Sequence, residues 1–535
     1  MWALVQEPCD ETVIRSAPQT EPCAKSRGPW ILAATILASS MAFIDGTVVN
    51  VALPALQTNL NATAVDVQWV IEAYSLLLSA LLLVGGSLGD HYGRRRVFLT
   101  GVVLFALASA TCGLAVNIHQ LIAARALQGL GAALLVPGSL AIISSSFSEG
   151  QRGRAIGTWS GFSAITTAIG PVIGGWLIEH ISWRAVFFIN IPLAVLVIII
   201  SFWRVPESSD SESAGLDWLG AALAAAGLGA LVYGLIESSS LGFNDQWVVA
   251  ALTAAVVFLA LFVITERHVP NPMLPLALFH SRIFTGTNFL TFLLYAALGG
   301  TLFFLPLNLI QVQHYSATAA GAALLPFILI ISLLSRWSGG LVTSYGPKRP
   351  LVIGSLTVAS GYLLFMLPTV GGSYWINFFP PVVVLGLGMA ISVAPLTTTV
   401  MNSVPENHAG IASGVNNAVA RTAGLIAIAV LGIVMLHVFN RSFDERVMQS
   451  NLPASVMRSL QMQRTKLAAI AIPEDQDTAT QQRIRGAIDE SFVSGFRVVM
   501  VIGAALALAS AVTALLWIEA APRVRRGQKS QALMQ

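Results

Sequence analysis

Residues 86–96 read Gly-Ser-Leu-Gly-Asp-His-Tyr-Gly-Arg-Arg-Arg and connect two apolar runs, 67–87 and 97–116. Each run has the length of about 20 residues that a helix needs to cross the hydrocarbon core of a bilayer. A related stretch, Gly-Gly-Leu-Val-Thr-Ser-Tyr-Gly-Pro-Lys-Arg at 339–349, also lies between two apolar runs. Leu, Tyr, Gly and the final Arg recur at the same offsets. This weak internal repeat predicts a protein built from two similar helical halves.

Apolar runs of this length fill most of the 535-residue chain. Hydrophobic residues make up 55% of it and charged residues only 10%, whereas a soluble domain carries about 25% charged residues. This composition excludes a soluble enzyme and a nucleic-acid-binding protein, and it predicts an all-α membrane protein. We predict fourteen transmembrane helices, at approximately 30–51, 67–87, 97–116, 119–143, 155–179, 184–203, 216–236, 247–265, 284–310, 318–342, 350–369, 375–400, 410–438 and 495–519.

The repeat divides these spans into two six-helix bundles, an N-terminal one at 30–203 and a C-terminal one at 284–519. Spans seven and eight, at 216–265, are then an inserted two-helix hairpin. The remaining segments are an N-terminal tail, a long loop and a basic C-terminal tail: 1–29, about 439–494 and 520–535.

Basic residues in the short loops predict the orientation. They are concentrated on one side of the predicted membrane, together with the C-terminal tail, and cytoplasmic loops carry such an excess of Lys and Arg. We therefore expect a multi-pass protein of the plasma (inner) membrane with both termini in the cytoplasm and the 439–494 loop outside. The loop residues that carry this argument are Arg94, Arg95, Arg96, Arg152, Arg154, Arg204, Arg267, Arg282, Lys348 and Arg349.

Three further motifs accompany the 86–96 loop in a fixed order. The first span ends Phe-Ile-Asp-Gly-Thr-Val-Val-Asn-Val-Ala-Leu-Pro at 43–54, and the fourth contains Arg-Ala-Leu-Gln-Gly-Leu-Gly at 125–131. The fifth contains Gly157, Thr166 and Gly-Pro-Val-Ile-Gly-Gly at 170–175. On these motifs the chain resembles the fourteen-helix drug:proton antiporters of the Major Facilitator Superfamily, the QacA and EmrB type. The resemblance implies two pseudo-symmetric bundles and transport by alternating access.

Asp45 is a candidate proton carrier. It lies well inside the first span, where a carboxylate is costly unless it is paired or protonated. A buried Arg125 needs a counter-charge in the same way, and Gln128, one turn later, can share the network. The resemblance implies that Arg125 modulates the proton affinity of Asp45. The alternative is that Asp45 only makes a helix-packing hydrogen bond.

Glu72 lies in the second span, near its outer end. It is a candidate for binding a cationic substrate or a second proton. A side chain that snorkels to the membrane interface is an equally good interpretation.

The two glycine-containing motifs have conformational roles by resemblance. In the loop motif Asp90 and the arginines form a charge cluster that breaks and reforms as the halves move; the alternative is a solvated turn that only enforces topology. The motif of the fifth span, with Thr in the usual Asn position, accompanies export in this superfamily, although close helix packing alone would look the same. The residues are Gly86, Asp90, Gly93, Arg94 and Arg95 in the loop, and Gly157, Thr166, Gly170, Pro171, Gly174 and Gly175 in the fifth span.

In the second half, Asn416, Asn417 and Arg421 lie on the thirteenth span. Polar groups at this depth line a cavity or close a cytoplasmic gate, or they are packing groups. With Glu72 and Gln128 they are the candidates for the substrate cavity.

These features predict proton-coupled efflux of amphipathic drugs or toxic compounds. The alternatives are an exporter dedicated to one metabolite, siderophore or lipid, and a proton-coupled uptake symporter. A phosphate-binding GxxxxGK[ST] motif, a zinc motif and a catalytic triad are absent from the sequence, so we expect no cofactor, no metal and no enzyme activity. Expected partners are lipid, protons, a small-molecule substrate and, in a Gram-negative envelope, a periplasmic adaptor protein.

Overall fold

The computed structural model describes residues 24–209, 217–270, 272–404, 409–449, 452–473 and 475–519. The described part is helical throughout, without strands. The predicted tails lie outside it, apart from residues 24–29, which already belong to the first helix.

The first part of the chain contains nine helices. Their bounds are α1 Ala24–Asn59, α2 Ala64–Tyr92, α3 Arg94–Leu114, α4 Ile118–Ser146, α5 Glu149–His180, α6 Ala185–Phe188, α7 Asn190–Arg204, α8 Trp218–Leu241 and α9 Gln246–His268. Helices α1 to α7 pack among themselves, and α8 packs against α9. Helix α8 also contacts α2 and a helix of the second half, so this pair touches both halves.

The described residues from 272 onward contain ten α-helices, besides the 3₁₀-helices Leu276–His280 and Arg464–Ala469 and the π-helix Asn308–Val312. The α-helices are α10 Arg282–Leu307, α11 Ala317–Ala323, α12 Leu325–Gly339, α13 Leu341–Tyr345, α14 Lys348–Leu364, α15 Tyr374–Asn377, α16 Phe379–Asn402, α17 Ala409–Gln449, α18 Ala454–Met462 and α19 Thr478–Trp517. The main packing partners lie within this group, with α10, α14 and α17 around α19 and with α12 and α14 against α16.

Polar caps define where several of these helices begin. Thr63 Oγ1 accepts from the Asp66 N–H (3.2 Å) and the Asp66 carboxylate accepts from the Thr63 N–H (2.8 Å), which is a complete capping box at the start of α2. Asn117 accepts from the Gln120 N–H (2.9 Å) at the start of α4. The predicted boundary between the third and fourth spans therefore falls at a true helix start.

Thirteen helices in the described residues are long and apolar enough to cross a membrane. They correspond to thirteen of the fourteen predicted spans. The predicted span at 350–369 corresponds to α14, which has only 17 residues and is not among the thirteen.

The internal repeat corresponds to two similar turns. Gly93 lies between α2 and α3 with a φ of +104°, and Gly346 lies between α13 and α14 with a φ of +73°. Such angles are readily adopted only by glycine. At both turns the glycine N–H donates to the preceding helix, to Gly89 O (3.1 Å) and to Val342 O (2.9 Å).

The segment predicted as a long loop at 439–494 is mostly helical. Helix α17 continues to Gln449, and α19 already begins at Thr478. With 41 residues, α17 has a length of about 60 Å, twice the thickness of the hydrocarbon core. The extensions carry ion pairs, Arg441 Nε with Glu445 (3.2 Å) and Arg446 Nε with Glu490 (3.0 Å). Hydropathy detects only the apolar part of such helices, so the predicted spans end before α17 does and begin after α19 does.

The two halves are in contact on the side of the molecule that carries residues 452–473, here called the strap side. Helix α5 meets α11 so closely that a methyl group added at Gly175 would overlap the backbone of Ala317. On the same side Gln311 Nε2 donates to Gln57 Oε1 (2.7 Å) and Lys466 Nζ donates to Asn61 Oδ1 (2.6 Å).

At its other end one face of α5 is uncovered, while Trp159 Nε1 on this end donates to Ser39 Oγ of α1 (3.0 Å). A methyl group added at Gly157 or Gly161 would meet no atom within 4 Å. This end lies on the side of the 86–96 loop, here called the loop-motif side. The two halves are therefore in contact on the strap side, and α5 has an uncovered face on the loop-motif side.

Candidate functional site

Asp45, Arg125 and Gln128 form one buried network between α1 and α4. The exposed fractions of these residues are 0%, 1% and 0%. Asp45 Oδ2 is ion-paired with Arg125 Nη1, and Asp45 Oδ1 accepts a hydrogen bond from Gln128 Nε2 (2.8 Å). Arg125 Nη1 also donates to Gln128 Oε1 (2.8 Å). The three side chains thus bind one another directly.

Helix α2 holds Arg125 in place from a second direction. Arg125 Nε donates to the backbone oxygen of Val70 (3.1 Å), and its guanidinium carbon lies 4.2 Å from the centre of the Tyr74 ring. On the opposite side Cys112 Sγ lies 3.6 Å from Gln128 Oε1. Three neighbouring helices therefore fix the geometry of the ion pair.

A buried ion pair of this kind is sensitive to the loss of either charge. Removing one partner from such a pair typically costs about 3–5 kcal/mol, because the remaining charge is uncompensated. Protonation of Asp45 has the same electrostatic effect on Arg125 as its removal. The ion pair is therefore stable only while both groups carry their charges.

The glycine motif of α5 packs directly beside Asp45. A methyl group added at Gly170 would lie 2.6 Å from Thr47 Oγ1, and one at Gly174 would overlap Val48. Thr166 donates to Ser163 O (3.0 Å) within its own helix. The small residues thus place α5 against the α1 segment that carries Asp45.

The same motif forms the contact between the halves. Gly175 meets Ala317, and a methyl group at Gly321 of α11 would overlap the carbonyl of Pro171. One turn after Gly175 on α5, Glu179 accepts hydrogen bonds from the Thr318 N–H (2.8 Å) and from the Thr318 hydroxyl (2.6 Å). Gly170 and Gly174 thus face the ion-pair segment, and Pro171 and Gly175, on the adjacent face of the same helix, form the contact between the halves.

Glu72 is fully buried at 0% exposure. Neither of its carboxylate oxygens has a hydrogen-bond partner, and among the described residues no ion pair involves it. Gln68, one turn earlier on α2, donates to Ile428 O of α17 (3.4 Å). Glu72 is thus enclosed and does not reach an exposed surface in this conformation.

The loop motif is held by a residue that the sequence analysis missed. Arg94 Nε pairs with Asp90 Oδ1 at 2.8 Å. Glu207, just after α7, accepts from the Arg95 N–H (2.9 Å) and lies within ion-pair distance of the Arg95 (3.7 Å) and Arg96 (3.6 Å) side chains. A methyl group at Gly93 would be 2.8 Å from Glu207 Oε1. Gly86 lies about two turns before Gly93 on α2, against Pro137 of α4.

A sequence signal for Glu207 did exist. It is an acidic residue directly after a span whose loop is on the arginine-rich side. Because its partners are more than a hundred positions away in the sequence, no local pattern indicates the contact.

The polar residues of α17 are not gathered into one cluster. Asn416 donates to Asn288 Oδ1 (3.1 Å) and Thr291 Oγ1 (2.6 Å), which ties α17 to α10. Asn417 is exposed. Arg421 is half-buried near Tyr74 and Tyr295, and among the described residues it has no ion pair.

An apolar cavity of about 250 Å³ lies where α2, α8, α9, α10 and α17 meet. Its wall is almost entirely hydrocarbon, with Ser79 and Thr422 as the hydroxyl-bearing residues. It is lined on one side by Leu259, Phe262, Met273 and Leu274, and on the other by Phe292 and Val415, among others. No group of three or more His, Cys, Asp or Glu in the described ranges could hold a metal ion.

Comparison with known proteins identifies the family. The sequence profile of the Major Facilitator Superfamily matches residues 35–428. The chain belongs to the Major Facilitator Superfamily. This confirms the family predicted from the motifs.

Several relatives in the Major Facilitator Superfamily are similar over most of their length. The tetracenomycin C resistance and export protein of Streptomyces glaucescens is 32% identical over 515 residues, which cover 94% of each chain. The multidrug resistance protein Stp of Mycobacterium tuberculosis is 33% identical and covers 89% of each chain. The methylenomycin A resistance protein of Bacillus subtilis is 32% identical over 77% of this chain and 88% of its own.

Solved structures show the same Major Facilitator Superfamily fold at low identity. A bacterial homologue of the human lysosomal transporter Spinster, in an inward-facing and unoccupied conformation, has a TM-score of 0.62 at 17% identity. It covers 93% of this chain and 100% of its own. The xylose transporter XylE of E. coli has a TM-score of 0.56 at 14% identity, with 95% and 99% covered.

Proposed function

We propose that the protein exports amphipathic drugs or other toxic compounds from the cytoplasm in exchange for protons. The observation that carries this proposal is the sealed network of Asp45, Arg125 and Gln128 beside the glycine motif of α5. Relatives named for export and for drug resistance support it.

The proposal includes fourteen membrane spans with both termini in the cytoplasm. Helix α14 is the fourteenth span, since 17 residues is at the lower end of the length that crosses a bilayer. The loop-motif side then faces the cytoplasm, and the strap side faces outward. Helices α8 and α9 are a hairpin inserted between two pseudo-symmetric bundles. In a Gram-negative envelope we also expect a periplasmic adaptor protein.

In this orientation the contact of α5 with α11 lies on the outer side, and the uncovered face of α5 lies toward the cytoplasm. Outward opening requires the contacts of Gly175 with Ala317 and of Lys466 with Asn61 to break. A proton from outside that reaches Asp45 neutralises it and releases Arg125. Because α5 packs against the Asp45 segment, the rearrangement changes the contact of α5 with α11. Loss of the proton to the cytoplasm restores the ion pair.

Glu72 supplies a second ionisable group in this scheme. A carboxyl enclosed without a donor is least costly as the neutral acid. We propose that it carries a proton in the conformation described and is exposed to a cationic substrate in another. The apolar wall of the 250 Å³ cavity suits the hydrocarbon or aromatic part of the same substrate.

The decisive experiment measures drug accumulation in cells that express the protein. We expect lower accumulation than in cells without it, and the difference should vanish when a protonophore collapses the proton gradient. Higher accumulation would favour the uptake symporter. Transport of one metabolite, siderophore or lipid but of no drug would favour the dedicated exporter.

A further inference from the structure

Two buried carboxylates meet at the end of the α8–α9 pair. Asp217 directly precedes α8, and Glu266 lies in the last turn of α9. Their exposed fractions are 8% and 3%. The sequence analysis included neither residue among the site candidates.

Each carboxylate uses one oxygen for the backbone. Asp217 Oδ1 accepts from the Gly220 N–H (2.7 Å), which caps α8. Glu266 Oε2 accepts from the Leu274 N–H (2.9 Å) and so holds the segment that follows α9. The other two oxygens, Asp217 Oδ2 and Glu266 Oε1, are buried and have no hydrogen-bond partner.

These two oxygens converge on the same point. A methyl group added at Gly220 would overlap Asp217 Oδ2 and would lie 2.9 Å from Glu266 Oε1. Both orphaned oxygens therefore lie over one glycine, and only a residue without a side chain leaves space for them.

No positive charge compensates the pair within the described ranges. Neither acid has an ion-pair partner there. The charged group that is close enough to affect Glu266 electrostatically is Asp217, which is also an acid. Arg267 and His268 follow Glu266 but are exposed, and His268 Nδ1 pairs with Ile264 O of its own helix (2.8 Å).

The helices that pack against α8 offer no counter-charge either. On α2 the charged group nearest the loop-motif side, Asp90, is bound to Arg94. On α17 the charged group that faces the interior is Arg421, whose neighbours are Tyr74 and Tyr295.

Two carboxylates this close in a buried site cannot both be ionised without a large repulsion. A single proton placed between the two orphaned oxygens satisfies both, because the protonated acid donates to the other. We propose that Asp217 and Glu266 share one proton and form a second proton-binding site, separate from Asp45, on the loop-motif side. No bond other than O–H is made or broken.

The site is linked to the apolar cavity. Glu266 holds the N–H of Leu274, and Leu274 and Met273 line the cavity wall. Loss of the shared proton pushes the carboxylates apart and loosens this part of the wall. Binding of this proton can be measured on the purified protein, and it does not depend on whether the protein exports drugs.

The test is the pH dependence of thermal unfolding of the full-length protein in detergent. The folded state holds a proton that the unfolded chain releases, so wild-type stability should fall as pH rises toward the loss of that proton. The unfolding equilibrium constant should rise by up to about tenfold per pH unit over this range.

Glu266→Gln should be less sensitive to pH. Its amide can donate to Asp217 Oδ2 permanently, which replaces the shared proton. Its unfolding midpoint should therefore exceed that of the wild type at alkaline pH. Glu237→Gln is the matched control, because Glu237 lies at the other end of α8 and binds Trp69 Nε1 (2.9 Å); its pH profile should parallel that of the wild type.

Infrared spectroscopy gives a second readout that does not require unfolding. Because Glu72 is also proposed to be a neutral acid, the comparison is made in a Glu72→Gln background. There the parent protein should show a protonated-carboxyl band that Asp217→Asn and Glu266→Gln both lose and Glu237→Gln retains. Parallel unfolding profiles of wild type and Glu266→Gln at every pH, or a band unchanged in both variants, would overturn the proposal. Stabilisation of the wild type but not of Glu266→Gln by Na⁺ or K⁺ would also overturn it, because a metal cation would then occupy the site.

Discussion

Neutralising Asp45 leaves the guanidinium of Arg125 buried without a counter-ion. We therefore expect Asp45→Asn to abolish proton-coupled export and to destabilise the protein by about 3–5 kcal/mol. The double variant Asp45→Asn/Arg125→Gln removes both charges and should recover much of the stability, while export stays absent. Export rate in vesicles and thermal unfolding measure the two effects. Proton-driven export at the wild-type rate by either variant would exclude Asp45 as the proton carrier.

Glu72 should determine the preference for charge in the substrate. In Glu72→Gln the amide keeps the size of the side chain but cannot attract a cation. We expect export of a cationic compound to fall more, roughly tenfold, than export of a matched neutral compound. The variant-to-wild-type ratio for each substrate at fixed pH is the measurement, with Glu237→Gln as the control. Equal ratios would show that Glu72 does not select for cations.

The side chains that the motifs predicted and those that they missed differ in a physical way. Asp45 and Arg125 are 80 positions apart, yet each is a charge inside an apolar run, and this demands a partner. Glu207, Asp217 and Glu266 lie at helix ends, where a charged residue is ordinary. Their burial depends on how the helices pack, which no local pattern contains.

At the scale of helices, the turn at Gly93 is the position most sensitive to substitution. Its φ of +104° is unfavourable for any residue with a Cβ, and the added carbon would approach Glu207. Gly93→Ala should cost of order 1–3 kcal/mol, lower the unfolding temperature and slow export.

Gly89→Ala is the matched control for this prediction. Its Cβ would lie 3.8 Å from the nearest atom, in ordinary contact within a helix. A loss of stability and of export equal to that of Gly93→Ala would mean that the strained turn is not the cause.

The helix positions followed from hydropathy, but the helix lengths did not. Membrane boundaries set where apolar runs end, whereas α17 and α19 continue as polar helices joined by pairs such as Arg446 with Glu490. Conversely, α14 is shorter than the predicted span, because it ends at Leu364 and the prediction continued to 369.

For the whole molecule, the orientation makes a direct prediction. Reporter fusions at Gln535 and near Ser459 should give opposite signals, because the first is expected in the cytoplasm and the second outside. A fusion after Arg204 should agree with Gln535. The same signal from Gln535 and Ser459 would contradict the count of fourteen spans, since one span, α19, lies between these two positions.

Cys112 is buried at 0% exposure and lies 3.6 Å from the Gln128 amide that bridges Asp45. With Cys9 and Cys23 replaced by serine, it becomes the one thiol of the chain. Alkylation of Cys112 then requires the core of the first half to open, so the labelling rate reports how often the ion-pair region opens. If the reaction of Cys112 with a maleimide accelerates when the outer side is acidified, its labelling rate becomes a measure of the rate of the transport cycle.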